Sequence, residues 1–196
     1  MKLLIATHNV GKLSEMVEVL GSLPIEILSL NDLNLHDDVE ETGETHEENA
    51  LLKAKFFAEK SGLPTLGEDS GVYVDAFPGE LGVQTRRWEG LHHATDAEWV
   101  EYFLNKMEGE SNRNARFVSV AAFVSGGEEK FFRGETLGTI THTLEAPLKK
   151  GIPVSSCFRP EGSDKVYAAL SPHEKNQLSH RGKAMHQVYE FLKTKI

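Results

Sequence analysis

The sequence is short of cysteine, of basic charge and of long apolar runs, and each shortage excludes something. Cys157 is the only cysteine. No disulfide can form within the chain, and a reducing cytoplasm is the expected setting. Lys and Arg number 21 against 30 Asp and Glu, a formal net charge of −9. That sign opposes broad binding to nucleic-acid backbone, so no nucleic-acid partner is expected. A small phosphate ligand stays open, since a few local Lys and Arg hold one. The first apolar run, Leu3 to Ala6, is too short for a signal peptide or a membrane span, and no other stretch approaches that length. No membrane partner is expected. What is there is an ordinary globular mix, 39% hydrophobic and 26% charged over 196 residues. That is enough for one substantial domain or two closely joined lobes.

Leu3 to Ala6 reads as a buried strand and Thr7 to Gly11 as a polar loop; Leu13, Met16, Val17 and Leu20 then fall at helical spacing. Pro24 to Leu30 reads as a second strand. Thr45 and Glu48, ahead of Ala50, Leu51, Ala54, Phe57 and Ala58, form a capping-box start to a helix that ends near Gly62. Thr65 to Asp75 reads as strand, turn, strand around Gly67-Glu68-Asp69-Ser70-Gly71. Thr95 and Glu98 open another capped helix. Arg116 to Val124 and Lys130 to Thr141 flank Ser125-Gly126-Gly127, a β-hairpin pattern. Pro172 and Glu174 suit the first turn of a short helix, and Ser179 the cap of the last one. The mix predicts one α/β unit with room for a cleft between two lobes.

Three constellations could carry chemistry. Thr7-His8-Asn9-Val10-Gly11-Lys12 joins a strand to a helix. It offers a triphosphate free backbone N–H groups, the positive end of the helix dipole and the Lys12 ammonium. It is not a Walker A loop, which needs a second glycine and Gly-Lys-Ser/Thr. The plain alternative is a capped helix start with a solvent-facing lysine. The acidic residues Glu40, Glu41, Glu44, Glu68, Asp69 and Asp75 could serve Mg²⁺, which takes oxygen ligands and needs only one or two carboxylates beside a substrate phosphate. A tight turn at Glu68-Asp69-Ser70-Gly71 would push adjacent carboxylates into a cleft; the alternative is a solvated acidic turn. Lys53 either snorkels from the core edge or points at the carboxylates or a phosphate. Lys175 to Arg181 brings a cation, a hydroxyl, an imidazole and a guanidinium to a helix start. They can read a base carbonyl, close over phosphates, or merely cap a surface helix. His92-His93 has no partner at metal spacing, Cys157 has no evident base, and Trp88 and Trp99 suit the core or a cleft wall.

Taken together and in order, these residues resemble the inosine triphosphate pyrophosphatase family, nucleotide-pool cleaning enzymes that act on deaminated purine nucleotides such as ITP, dITP and XTP. The match runs end to end through Thr7 to Lys12, Glu40-Glu41-Thr42-Gly43, Glu48-Asn49-Ala50, Lys53-Ala54, Asp69-Ser70-Gly71, Val74-Asp75-Ala76, Arg87, Ala115-Arg116-Phe117 and Ser179 to Ala184. The resemblance implies a single ITPase-like α/β domain over residues 1–196, elongated, with a central mixed twisted sheet and a cleft between two lobes. It implies a homodimer, a nucleoside triphosphate as small-molecule partner and Mg²⁺ as cofactor. Substrate binding would fall to Thr7, His8, Asn9, Val10, Gly11, Lys12, Lys53, Ser70, Lys175, His180 and Arg181. Glu41 and Asp69 would bind metal, with Asp69 the catalytic carboxylate. Water would attack the α-phosphorus and pyrophosphate would leave.

The chain also departs from the family's pattern. Glu68-Asp69 stands where two aspartates are usual, and Leu81 to Arg87 differs from Pro-Gly-Val-Tyr-Ser-Ala-Arg. Where the family has a base-binding Gly-Phe-Gly-Tyr-Asp-Pro stretch, the chain reads Gly151-Ile152-Pro153-Val154-Ser155-Ser156-Cys157-Phe158, an altered loop over 152–158. Ile152 packs on a base without aromatic stacking, Pro153 stiffens the loop, and Ser155 carries no charge. Two alternatives to the leading activity follow. One is a catalytically weak nucleotide-binding or sensor protein. The other is a pyrophosphatase with a changed base preference.

Overall fold

The computed structural model describes residues 1–196. Strand β1 (Lys2–Ala6) runs into helix α1 (Val10–Leu20), and β2 (Glu26–Ser29) follows. Helix α2 (His46–Ser61) starts on the Thr45–Glu48 capping box and stops where Gly62 turns left-handed at φ +68°. Then come β3 (Thr65–Val74), α3 (Asp96–Lys106) on a second capping box at Thr95 and Glu98, and the long hairpin β4 (Asn114–Ser125) and β5 (Glu128–Ile140). The short strand β6 (Phe158–Pro160) precedes α4 (Pro172–Leu178) and α5 (His180–Lys193), the latter capped by Ser179.

The strands form one mixed six-stranded sheet in the order β2-β1-β3-β4-β5-β6. β1 is parallel to β2 and β3, and the remaining pairs are antiparallel. The β3–β4 ladder is its spine. At one end Leu66 and Ala121 join a core with Met16, Leu20, Met185 and Val188 of α1 and α5. At the other, Val72, Val74 and Ala115 join a second core with Trp88, Trp99, Phe103 and Phe158. Trp88 and Trp99 thus belong chiefly to this second core. No helix is long and apolar enough to cross a membrane.

The expected turn at Gly67 to Gly71 is absent. β3 is continuous from Thr65 to Val74, each residue paired with β4. A Gly-rich acidic run normally breaks a strand. Here the glycine serves close approach instead: a Cβ on Gly67 would run into the Ala50 carbonyl and Ala54 of α2. Without that Cβ, α2 lies down on the sheet over Asp69.

Register opens the site. β1 pairs with β3 only as far as Ala6 opposite Gly67, while β3 continues for seven more residues, Glu68 to Val74. Beyond Gly67 the flank of β3 is free of β1, and the Thr7–Asn9 loop and the start of α1 border the gap. Ligand sites in sheets with parallel strands gather at such carboxyl ends.

Candidate active site

Because β3 is a strand, Glu68 and Asp69 point to opposite faces. They do not form the paired carboxylates expected of a turn. Glu68 faces α1 and α5, and Ser70 shares its side. The Glu68 carboxylate has a fully buried side chain; it lies 3.0 Å from Lys12 Nζ, takes a bond from Arg181 Nε at 3.2 Å and accepts from Ser119 Oγ at 2.7 Å. Arg181 Nη2 also donates to Ser70 Oγ at 3.0 Å. Glu15 of α1 completes the network, pairing with Arg181 Nη1 and, at 2.5 Å, with Lys175 Nζ. Burial opposes the charge on Glu68, yet Arg181 and Lys12 hold its carboxyl well below the ordinary range. Glu15 is lowered in the same way, by Arg181 and Lys175 against burial.

Asp69 faces α2. Its Oδ2 lies 2.6 Å from His46 Nδ1 and its Oδ1 lies 3.6 Å from Lys53 Nζ. Lys53 Nζ also donates to Glu41 Oε1 at 2.6 Å, and Glu41 Oε2 reaches Arg87 Nη1 at 3.3 Å. Lys53 therefore bridges the two carboxylates rather than snorkelling to solvent. Burial raises the Asp69 pKa, but the His46 bond and the charges of Lys53 and Lys12 outweigh it, and the carboxyl is lowered. Burial likewise opposes the Lys53 charge, while Asp69 and Glu41 hold its pKa up.

Asp69, Lys53, Glu41, Arg87, Lys12, Ser70, Lys175 and Arg181 from these two networks line one cleft of about 690 Å³, a common size for a small-molecule site. Of the residues expected to bind substrate, Thr7, His8, Asn9, Val10, Lys12, Lys53, Ser70, Lys175, His180 and Arg181 lie on its wall, as do Glu41 and Asp69. Gly11 does not; it stands behind the wall, where a Cβ would meet the Lys150 carbonyl. Asn9 is less free than its sequence implies. Its Oδ1 caps α1 by accepting from Lys12 N at 3.0 Å, and its Nδ2 donates to Gly151 O at 2.8 Å. His8 Nε2 meets the Asp37 carbonyl at 2.8 Å. Of the other acids, Glu40 lines the cleft, whereas Glu68, Glu44 and Asp75 do not. No group of three or more His, Cys, Asp or Glu side chains converges on one metal position.

The rewritten loop lines the cleft beside the Thr7–Lys12 segment. Gly151 N donates to Asp96 Oδ2 at 2.6 Å, so the loop is pinned between α3 and the Asn9 cap. Ile152 and Val154 present aliphatic surface. The Ser155 hydroxyl donates back to the Ile152 carbonyl and is not directed at a ligand. Nearby, His180 stacks on Phe117 with centroids 4.6 Å apart and planes 21° apart. Cys157 is buried, and burial pushes its thiol up to about 12, so it is an inert core thiol.

Burial and then the Arg181 charge hold the His180 pKa well below its ordinary 6.5. The folded protein thus binds fewer protons than the unfolded chain below that pH. The sign follows: the stability from the neutral ring is complete above pH 6.5 and is lost as pH falls below it, by about 1.4 kcal/mol per pH unit at most. Urea unfolding should show wild type losing stability between pH 7.5 and 5.5, with His180→Gln losing distinctly less. Equal losses would show that His180 is not the acid-labile group.

The parts of His46, Glu15 and Ser119 are not legible in the sequence, and Ala115-Arg116-Phe117, though part of the family match, gives no sign that Phe117 stacks on His180. Each meets its partner across tens of residues of chain: His46 is 23 positions from Asp69, and Ser119 is 51 from Glu68. The one local signal was Glu15, three residues after Lys12 and so on the same face of α1.

A mixed sheet whose parallel strands end on a polar cleft, with helix starts and charged side chains on its walls, defines an α/β protein with a candidate small-molecule site. The chain belongs to the Ham1 family, which matches residues 3–191. This agrees with the resemblance carried by the ordered residues. A dITP/XTP pyrophosphatase of Flavobacterium johnsoniae is 36% identical over 192 residues, with 98% of both chains covered. One of Nocardia farcinica is 39% identical over 191 residues, covering 94% of this chain and 91% of that one. The solved Staphylococcus aureus Ham1 protein superposes with a TM-score of 0.82 at 31% identity over 100% of both chains.

Proposed function

We propose that the protein hydrolyses a nucleoside triphosphate to the monophosphate and pyrophosphate, with deaminated purine nucleotides such as dITP and XTP as substrates. The carrying observation is that one cleft joins Asp69 and Lys53 to a second bank of cations, Lys12, Lys175 and Arg181, beside the N-terminus of α1. The relatives named dITP/XTP pyrophosphatase, similar over nearly their whole length, support the same reading.

In this reading the N–H groups at the start of α1 and Lys12 hold phosphate oxygens, a role that suits a helix N-terminus. Lys53, charged and buried between Glu41 and Asp69, adds a cation on the other wall. Glu15 and Glu68 hold Lys175 and Arg181 in place before substrate arrives, so their ordering is complete in the free protein. Asp69 Oδ1 orients the attacking water or takes its proton. The water oxygen bonds to the α-phosphorus, the bond to the bridging oxygen breaks, and pyrophosphate leaves with that oxygen. Neutral His180, Phe117 and the aliphatic surface of Ile152 and Val154 face the base.

Mg²⁺ fits the donor set. Asp69 and Glu41 are hard oxygen donors that already converge on a single cation, the Lys53 ammonium, and one or two carboxylates are the usual protein share of such a site. Those two residues would hold it, and when bound it would neutralise phosphate charge. The reading takes residues 1–196 as one domain and includes a homodimer in the cytoplasm without nucleic-acid or membrane partners.

The test is a panel of dITP, XTP, ITP and the standard triphosphates with Mg²⁺, measuring pyrophosphate and orthophosphate separately. Pyrophosphate should form first, preferentially from dITP, XTP and ITP, and EDTA should stop it. Orthophosphate as first product, or no turnover of any nucleotide, would overturn the reading. Equal turnover of all bases would leave the chemistry and assign the 151–156 loop a relaxed base preference.

A further inference from the structure

Asp69 has one oxygen turned toward Lys53 and the other turned away, and the group behind it is His46. His46 is buried, with 2% of its surface exposed, and is not on the cleft wall. Its Nδ1 lies 2.6 Å from Asp69 Oδ2 and its Nε2 lies 3.1 Å from the Tyr73 hydroxyl. We propose that His46 is a positioning residue for Asp69, its donating tautomer set by the carboxylate and its ring held in place by the Tyr73 hydroxyl. This rests on the catalytic part assigned to Asp69 above.

The donor and acceptor inventory sets the direction. An ionised carboxylate only accepts, so Nδ1 must carry a hydrogen; in the neutral ring Nε2 then has a lone pair, and the Tyr73 O–H donates to it. The three side chains come from rigid supports. His46 is the first residue of α2, immediately after the Thr45 cap with its reciprocal bond to Glu48. Asp69 and Tyr73 are four apart on β3, so they leave the same face of the sheet. The rings of His46 and Tyr73 meet edge to face, with centroids 5.9 Å apart and planes at 85°. The Arg116 guanidinium covers the Tyr73 ring at 4.7 Å. With Oδ2 occupied, Asp69 cannot turn about its last bond without breaking a buried hydrogen bond. Only Oδ1 is presented to the reacting water, in a fixed direction, and orienting groups of this kind are commonly worth about 10–100-fold.

The test separates positioning from folding and from substrate binding. His46→Phe keeps a ring and removes the donor. Its kcat should fall about 10–100-fold with KM within about threefold of wild type, because the residue touches no substrate. His46→Asn places an amide N–H near the Nδ1 position, and kcat should return to within about threefold of wild type. Tyr73→Phe should lower kcat about three- to tenfold by removing the bond that fixes the His46 ring. Nitrogen-15 NMR of the protein without nucleotide should show His46 as the Nδ1–H tautomer. Unchanged kcat in His46→Phe, an Asn variant no better than Phe, or an Nε2–H tautomer would overturn the proposal. If His46→Phe does not fold, Tyr73→Phe decides it, and unchanged kcat there would overturn it. Wild type without turnover overturns the activity instead, and the NMR tautomer then decides the hydrogen-bond chain by itself.

Discussion

Replacing Asp69 by Asn lowers kcat about a thousandfold, within the range expected for losing a positioned carboxylate that handles a proton. The substitution keeps the volume and one hydrogen-bond acceptor for His46, so the buried side of the residue stays matched. What changes is the oxygen aimed at Lys53 and the cleft, 3.6 Å from Nζ. Lys53 keeps its 2.6 Å bond to Glu41, so the cation stays in place to meet a triphosphate. Nucleotide affinity, measured by calorimetry, should therefore change far less than turnover. A variant within tenfold of wild-type kcat would remove Asp69 from the chemistry and direct attention to Glu41, the other carboxylate on Lys53. A variant that loses affinity and turnover together would make Asp69 a binding group.

The largest effect on stability should come from Arg181→Met. Methionine matches much of the apolar stem but removes the guanidinium that meets Glu68, Glu15 and Ser70. Glu68 has no exposed side-chain surface and keeps only Lys12 as an ion-pair partner. Breaking a buried ion pair from one side costs about 3–5 kcal/mol, because a charge is left without compensation. Urea unfolding at pH 7.5 measures it. Glu68→Gln in the same background should recover part of the loss, since it removes the stranded charge while keeping an acceptor for Ser119. The pH sign is the carboxylate one: Glu68 is depressed by Arg181 and Lys12 against burial, so its contribution is complete above the ordinary 4.5 and fades as pH falls below that. Arg181→Met should lose that part of the acid dependence. A destabilisation below about 1 kcal/mol would mean that the pairs contribute no more than surface ones do.

These two residues show how charge is divided across the sheet. Glu68 organises cations on one face, Asp69 faces Lys53 on the other, and both supply the same cleft because β1 stops at Ala6. Glu15 and Glu68 make the cations ready, and their cost is four buried charges that must stay mutually satisfied.

The sequence by itself determined where most of the helices and strands start and stop. Capping boxes at Thr45 and Thr95, the Gly62 stop, the Ser125 to Gly127 hairpin and the Ser179 cap are local chemistry, decided within a few residues, and each was legible before any coordinates. The ordered residues from Thr7 to Ala184 were also enough to identify the family. Only the tertiary structure decided what the acidic run does. A glycine in Gly67 to Gly71 is ambiguous from sequence, since the same absence of Cβ permits a turn or lets a helix approach a strand. Here α2 lies against Gly67 and β4 pairs with the whole run, so the strand continues and its two acids part. Likewise His46 behind Asp69, and Glu15 between Lys175 and Arg181, join elements far apart in the chain. Pairings of that kind depend on register and on helix placement, which no local spacing encodes.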